Sequence, residues 1–232
     1  MAAKVEILKD FYESHCGKLA CQIIRSKLKK LWPSVHREKI MGYGFPQPYL
    51  PLFTETNTCA TFMPASLGAM NLGKEPVLCE DDALPARLEF FDRIIAVHGI
   101  EHTESMEKVF DQFWRVLSPN GKLIIIVPNK DGFWHKSPPF DISRTYIKSH
   151  VIAHLQHAKF VVRKSSAAIH YPQKLPFGFL NSLLGLFFPS LGAVLVIEAQ
   201  KVVFAPRGRS IKVTPSWIEK LFKPKVEAPE PI

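Results

Sequence analysis

The chain has 232 residues, 47% of them hydrophobic, enough for one sizeable core, and its four cysteines show neither a Cys-x-x-Cys pair nor a zinc-like Cys/His spacing. That usage argues against a disulfide framework and a structural metal, and acidic residues close to Met1 argue against a signal peptide, so a cytoplasmic location is expected. A formal charge of +9 and a pI near 9.4 favour anionic partners: an acidic metabolite, nucleic acid or an anionic membrane face.

Over residues 4–31 apolar positions recur at Leu8, Phe11, Leu19, Ile23, Leu28 and Leu31, which predicts one or two amphipathic helices ending at Trp32-Pro33. Lys18, Arg25, Lys27, Lys29 and Lys30 crowd the later part, a charge run of the kind that usually forms a solvated helix face. A short strand is expected at Lys39-Ile40-Met41, running into a turn-rich segment, 42–50, that Gly42, Gly44, Pro46 and Pro48 make too irregular for a strand. Residues 58–63 and 76–79 read as a second and a third strand, the latter leading into Glu80-Asp81-Asp82-Ala83-Leu84-Pro85.

The clearest pattern spans residues 91–129. Ile94, Ile95, Ala96 and Val97 form a nearly all-apolar run without alternation, as in a parallel strand buried on both faces. Met106, Val109, Phe110, Phe113 and Leu117 follow at helical spacing, with Ser105 able to cap the helix and Glu107 suited to its positive end. Pro119, Asn120 and Gly121 stop it, and Leu123 to Val127 reads as a second buried strand. One β-α-β unit in mid-chain predicts an open α/β sheet.

Downstream, the Pro- and aromatic-rich segment 131–140 is long for a connection and is a candidate lid or substrate-facing loop. A helix is expected from Ser143 or Thr145 through His157, then a strand over 160–163. Residues 175–197 are the most apolar in the chain; Pro176, Pro189, Asn181 and Ser182 interrupt them, which favours a helix or loop to about 188 and a last strand, 193–204, over a transmembrane span. A shallow lipid contact or an apolar substrate pocket is the weaker form of the same signal. The expected organisation is a basic helical segment, 1–36, one α/β domain, 37–205, and a mobile Pro- and Lys-rich tail, 206–232.

Ligands of open α/β sheets bind at the carboxyl ends of the strands, where strand order reverses. Gly42 and Gly44 follow the first strand, Glu80, Asp81 and Asp82 the third, and His98 the fourth. The stretches Phe91-Asp-Arg-Ile-Ile-Ala-Val-His-Gly-Ile-Glu-His, Phe113-Trp-Arg-Val-Leu-Ser-Pro-Asn-Gly-Lys-Leu and Val127-Pro-Asn resemble the class I S-adenosylmethionine-dependent methyltransferases, especially the type 11 small-molecule group and a bacterial branch with an irregular glycine loop. The resemblance covers roughly residues 11–205. It implies a Rossmann-like, doubly wound seven-stranded sheet, S-adenosylmethionine as cofactor, and a small-molecule or lipid-like methyl acceptor. It implies cofactor contacts from Gly42, Tyr43 and Gly44, from Met63 at the end of strand two, from Glu80, Asp81, Asp82, Ala83 and Leu84 at the adenine, and from His98.

Two departures accompany it. Pro46 stands at the third glycine position of the family's loop, and Met63-Pro64-Ala65-Ser66 occupies the place of the acidic residue that would hold the ribose hydroxyls. Loss of that contact predicts weaker cofactor binding, a charge-assisted hydrogen bond being worth roughly 1.5–3 kcal/mol. Methyl transfer needs a base only where the acceptor loses a proton, and His98, with Glu101 and His102 beside it, is the candidate; Trp134, Asp141, Arg144 and Tyr146 are candidates to face the acceptor. A dinucleotide dehydrogenase would need a third glycine where Gln47 stands. A catalytically inactive methyltransferase-like binding module is the alternative function. Peripheral contact with an anionic membrane fits the charge; nucleic acid is the less expected partner, since no RNA-binding motif accompanies it.

Overall fold

The computed structural model describes residues 4–53, 56, 58–68, 76–132, 134–136, 138–170, 187 and 190–203. Two helices open the chain, α1 (Lys4–Glu13) and α2 (His15–Leu31). Ser14 joins them and caps α2, its Oγ accepting the Gly17 amide at 3.1 Å. Gly17 lies against the end of α1 so closely that a Cβ would collide with the Phe11 carbonyl.

Seven strands follow: β1 (Lys39–Gly44), β2 (Thr58–Pro64), β3 (Val77–Cys79), β4 (Phe91–Val97), β5 (Leu117–Pro128), β6 (Phe160–Ala168) and β7 (Val194–Lys201). Their order is β3-β2-β1-β4-β5-β7-β6, parallel except for β7, which runs antiparallel to β5 and β6. The order reverses between β1 and β4, so the carboxyl ends of these two strands flank the crevice where such sheets hold ligands.

Side-chain alternation sorts the core into two layers. Ile94, Ala96, Leu123 and Ile125 join Val109, Phe110 and Phe113 of α3 (Met106–Val116), together with Val151 and Leu155 of α4 (Lys148–His157). Ile95, Val97, Ile124 and Ile126 face the other way, against Ile24 and Leu28 of α2 and Trp32 at its end. Each of the larger aliphatic and phenylalanine side chains among them, fully buried, contributes about 1.5–3 kcal/mol. Two of the clustered basic residues fasten α2 rather than face solvent: Arg25 Nε donates to the Pro48 carbonyl at 2.8 Å, and Lys27 Nζ donates to Ser166 Oγ at 2.8 Å and to the Ala167 carbonyl.

Several boundaries differ from the sequence expectation; β6, for one, does not stop at Arg163 but continues through Ala168. β1 does not stop at Met41 but continues through Gly44, with Gly42 opposite Thr61 and Ile95. Glycine weakens a strand in isolation; here Gly42 leaves room for the Pro46 ring, which a Cβ would meet at 2.6 Å. β5 begins directly at the end of α3, and residues 118–121 bulge out, since Phe91 pairs with Leu117 but Arg93 with Lys122, with Asn120 at φ 64°. α4 starts at Lys148, because Tyr146 is drawn into a bridge with Asn129 and Arg144 reaches the Thr103 carbonyl at 2.9 Å. Segment 131–140 is anchored through fully buried Trp134 and Phe140. Most of 175–188 and the tail 206–232 lie outside the described residues; among those described, no helix is long and apolar enough to cross a membrane.

Candidate active site

His98 follows β4 at the strand-order reversal, with φ at 47°, a region a non-glycine residue enters at a cost. Its side chain is fully buried and engaged at both nitrogens. Nδ1 lies 2.9 Å from Glu101 Oε1, and Nε2 lies 2.9 Å from the Tyr12 hydroxyl, which is itself 2.9 Å from the Tyr49 hydroxyl. A carboxylate only accepts, so Glu101 assigns the proton to Nδ1 and leaves Nε2 as an acceptor for the Tyr12 O–H. Glu101 is brought within reach by the single 3-10 turn Ile100–His102. Burial pushes the phenols of Tyr12 and Tyr49 well above their ordinary range, so both stay protonated. Burial likewise holds the His102 imidazole down at about 4, leaving it neutral beside this line.

The other expected site residues divide into two groups. Gly44 and Met63 converge with His98 at the crevice, beneath α1. Met63 is completely covered, in a cluster with Val5 and Leu8 of α1, Phe45 and Leu67. Gly44, at φ 80°, packs so tightly on β4 that a Cβ would strike the Val97 carbonyl and lie 2.7 Å from Gly99 Cα. Tyr43 points to the opposite face, edge-on to Phe113 at 5.0 Å. The acidic segment stays at the rim and is tied to α3 and its approach: Asp81 Oδ2 accepts the Glu104 amide at 2.9 Å, Asp82 pairs with Lys108 at 3.0 Å, and the Leu84 amide donates to Gln112 at 3.3 Å. The Lys108 hydrogen bond and charge lower the Asp82 pKa. Glu80 and Ala83 are exposed and bridge one another. Of the weaker acceptor candidates, Trp134 packs on Phe11, Asp141 is exposed, and Tyr146 lies near Glu101 with Arg144 beside it.

The side chains that complete the site were missed in the sequence: Tyr12, Tyr49, Phe45 and Phe140. Phe140 lies 5.4 Å from the His98 ring, and Phe11 of α1 packs on both Phe140 and Trp134. The apolar spacing of Leu8 and Phe11 marked an amphipathic helix, but no local signal named the surface it meets. A cavity of about 480 Å³ opens beside Tyr12, between the two N-terminal helices and the loop after β1, with Cys21, Phe45, Gln47 and Pro48 in its wall.

Class I methyltransferases use S-adenosylmethionine, which in that fold would span the ends of β1, β2 and β4. One buried atom beside His98 lacks a partner that such a ligand could satisfy, Glu101 Oε2. The room is nevertheless taken. Val5, Leu8 and Tyr12 fill the space over Met63 and His98, Gly44 is closed against Val97 and Gly99, and the apolar, fully buried Met63 closes the end of β2. With α1 in this position the residues do not fit the cofactor.

Residues 41–125 match the family model described as a methyltransferase domain. No curated protein matches the chain. Among solved structures, a Thermotoga maritima S-adenosylmethionine-dependent methyltransferase, described as a possible histamine N-methyltransferase, aligns at TM-score 0.62 and 16% identity over 83% of this chain and 93% of its own. An S-adenosylmethionine-dependent methyltransferase from Aquifex aeolicus aligns at TM-score 0.53 and 16% identity, over 77% and 89%. One from Mesorhizobium loti aligns at 0.51 and 11%, over 75% and 96%. At these identities the likeness is one of fold, and it agrees with the strand order found here. Residues 41–125 are thus similar to that family's methyltransferase domain, and the sheet built around them has the class I S-adenosylmethionine-dependent methyltransferase fold.

Proposed function

We propose that the chain transfers a methyl group from S-adenosylmethionine to a hydroxyl of a small-molecule or lipid-like acceptor, in a state in which α1 has left the crevice. One observation carries the reading: at the strand-order reversal, a buried imidazole has one nitrogen held by a carboxylate and the other directed at a hydroxyl 2.9 Å away. That is the arrangement a general base needs to take a proton from oxygen, with Glu101 fixing the tautomer and favouring the imidazolium that forms. Calorimetric titration of the full chain with S-adenosylmethionine and S-adenosylhomocysteine tests it, binding of either being the expected result. The lipid-like part of the acceptor class draws support from the apolar composition of residues 175–188 and the net charge of +9. Sedimentation with anionic liposomes at low salt checks it, and absence from the pellet removes it.

A second reading, an inactive methyltransferase-like binding module, is favoured by buried Met63 at the ribose position and by α1 above it. Failure to bind either cofactor form at millimolar concentration, in the wild type and in variants that loosen α1, would establish it over the first.

A further inference from the structure

His98 already holds a phenol. Tyr12 reaches it from 86 positions earlier in the chain and places its hydroxyl on Nε2, the nitrogen that Glu101 leaves free to accept. The ring is seated as a ligand would be. It stacks on Phe45 with centroids 5.8 Å apart and planes 27° from parallel, and meets Tyr49 edge-on at 6.0 Å. Its oxygen is shared between His98 and the Tyr49 hydroxyl, so both the ring and its polar tip are matched. On the preceding turns of the same helix, Val5 and Leu8 cover Met63 and Leu67 at the end of β2, the other half of the crevice. One short helix thus blocks both halves. The cavity of about 480 Å³ has Tyr12 in its wall and is large enough for a small aromatic molecule beside the seated ring.

We propose that α1 is an internal ligand of its own crevice: Tyr12 stands where the acceptor's hydroxyl stands, and the acceptor is a small phenol that takes its place when α1 lifts. The phenol assignment deepens the methyltransferase reading and rests on it for the methyl transfer itself; displacement requires only His98, Glu101 and the ring contacts. The incoming O–H donates to His98 Nε2, as the Tyr12 O–H does, and the vacated aromatic slot holds the ring. The apparent affinity of the wild type for ligand is then reduced by the small fraction of molecules in which α1 is displaced.

The test uses the full chain, Tyr12→Ala, Leu8→Ala and the double variant Tyr12→Ala/His98→Ala. The probes are p-cresol, which is the tyrosine ring with its hydroxyl, toluene, which lacks the hydroxyl, and S-adenosylhomocysteine. Calorimetry is expected to show p-cresol binding Tyr12→Ala at least tenfold more tightly than wild type and at least tenfold more tightly than toluene, with the preference over toluene lost in the double variant. S-adenosylhomocysteine is expected to bind Leu8→Ala and Tyr12→Ala at least tenfold more tightly than wild type. Equal affinity for p-cresol and toluene in Tyr12→Ala describes a mere cavity and overturns the phenol assignment, even where the cofactor product binds. The reverse result, selective p-cresol binding without any cofactor binding, upholds the slot and sinks the methyltransferase reading. Should the variants fail to fold, hydrogen exchange on the wild type decides: p-cresol with S-adenosylhomocysteine raises amide exchange across residues 4–13 and toluene with it does not, whereas no difference between them overturns the proposal.

Discussion

On one side of the β1/β4 junction, β4, α3 and β5 form a closed unit; on the other, β2 and β3 run to an edge over which the described residues place little besides α1. α3 is capped by Ser105, carries Glu107 in its first turn and presents Phe110 and Phe113 to strands buried along most of their length. β3 has three residues, two of them exposed, and the described parts of the β1–β2 and β2–β3 connections contain only the single 3-10 turns Leu50–Leu52 and Ala65–Leu67. The fold therefore rests on the first half. The second half is free of that duty, and α1 occupies it.

The widest gap between the halves is expected in stability. Phe113→Ala empties a fully buried site at the centre of the first half and is expected to cost about 3–5 kcal/mol. Leu78→Ala on β3, where the leucine is 51% exposed, is expected to stay within about 0.5 kcal/mol. Urea unfolding of both variants measures the gap, and comparable losses would mean that β3 is as integral to the core as β4.

A smaller effect is expected where the halves meet. Glu101→Ala strips the Nδ1 partner from buried His98 and is expected to cost about 1–3 kcal/mol in the same unfolding measurement. Glu101→Gln keeps an acceptor in place and should recover most of it. If both variants lose equally, the carboxylate's charge, rather than the hydrogen bond, supports the imidazole.

The next effect is a pH dependence. The His102 imidazole sits at about 4 when folded, chiefly through burial, with Lys4, His98 and Arg144 adding to the lowering and Glu101 opposing it. The unfolded chain therefore binds the extra proton first. Stability from this group is complete above the unfolded value near 6.5, falls as the pH drops from there, and levels off below about 4. Because the side chain is partly exposed, the loss is discounted to roughly 1–2 kcal/mol. Unfolding midpoints between neutrality and pH 4 check the direction, and His102→Asn should flatten that stretch of the profile.

How much of this was legible depends on whether a feature is local. Ile94 to Val97, the spacing from Met106 to Phe113 and the apolar run after Gly121 read correctly as strand, helix and strand, because burial on both faces of a parallel sheet leaves its mark in composition. The end of β1 did not read correctly, since Gly42 and Gly44 suggest a turn when taken alone; their lack of Cβ instead serves close packing against Pro46 and Val97. The destination of α1 was beyond reach for a different reason. Helical spacing shows that a face is buried but not what it is buried against, so Tyr12 on His98 is a long-range fact that neither segment encodes by itself.

The smallest expected stability effects belong to the acidic edge, which separates the family's adenine role from a structural one. Asp82 and Lys108 form an exposed pair on the surface of α3, so Asp82→Asn should leave the unfolding midpoint unchanged. Asp81 has a structural task as well, accepting the Glu104 amide just before the Ser105 cap, and Asp81→Ala should cost about 0.5–1.5 kcal/mol. Glu80 bonds to Ala83 through backbone alone, so Glu80→Ala removes a carboxylate without disturbing the segment. If this edge receives the adenosine, S-adenosylhomocysteine affinity falls in Glu80→Ala and Asp81→Ala, and falls further in Asp81→Ala than its stability loss accounts for. Unchanged affinity in both would move the cofactor away from β3, leaving the acidic segment as a fastening for the start of α3.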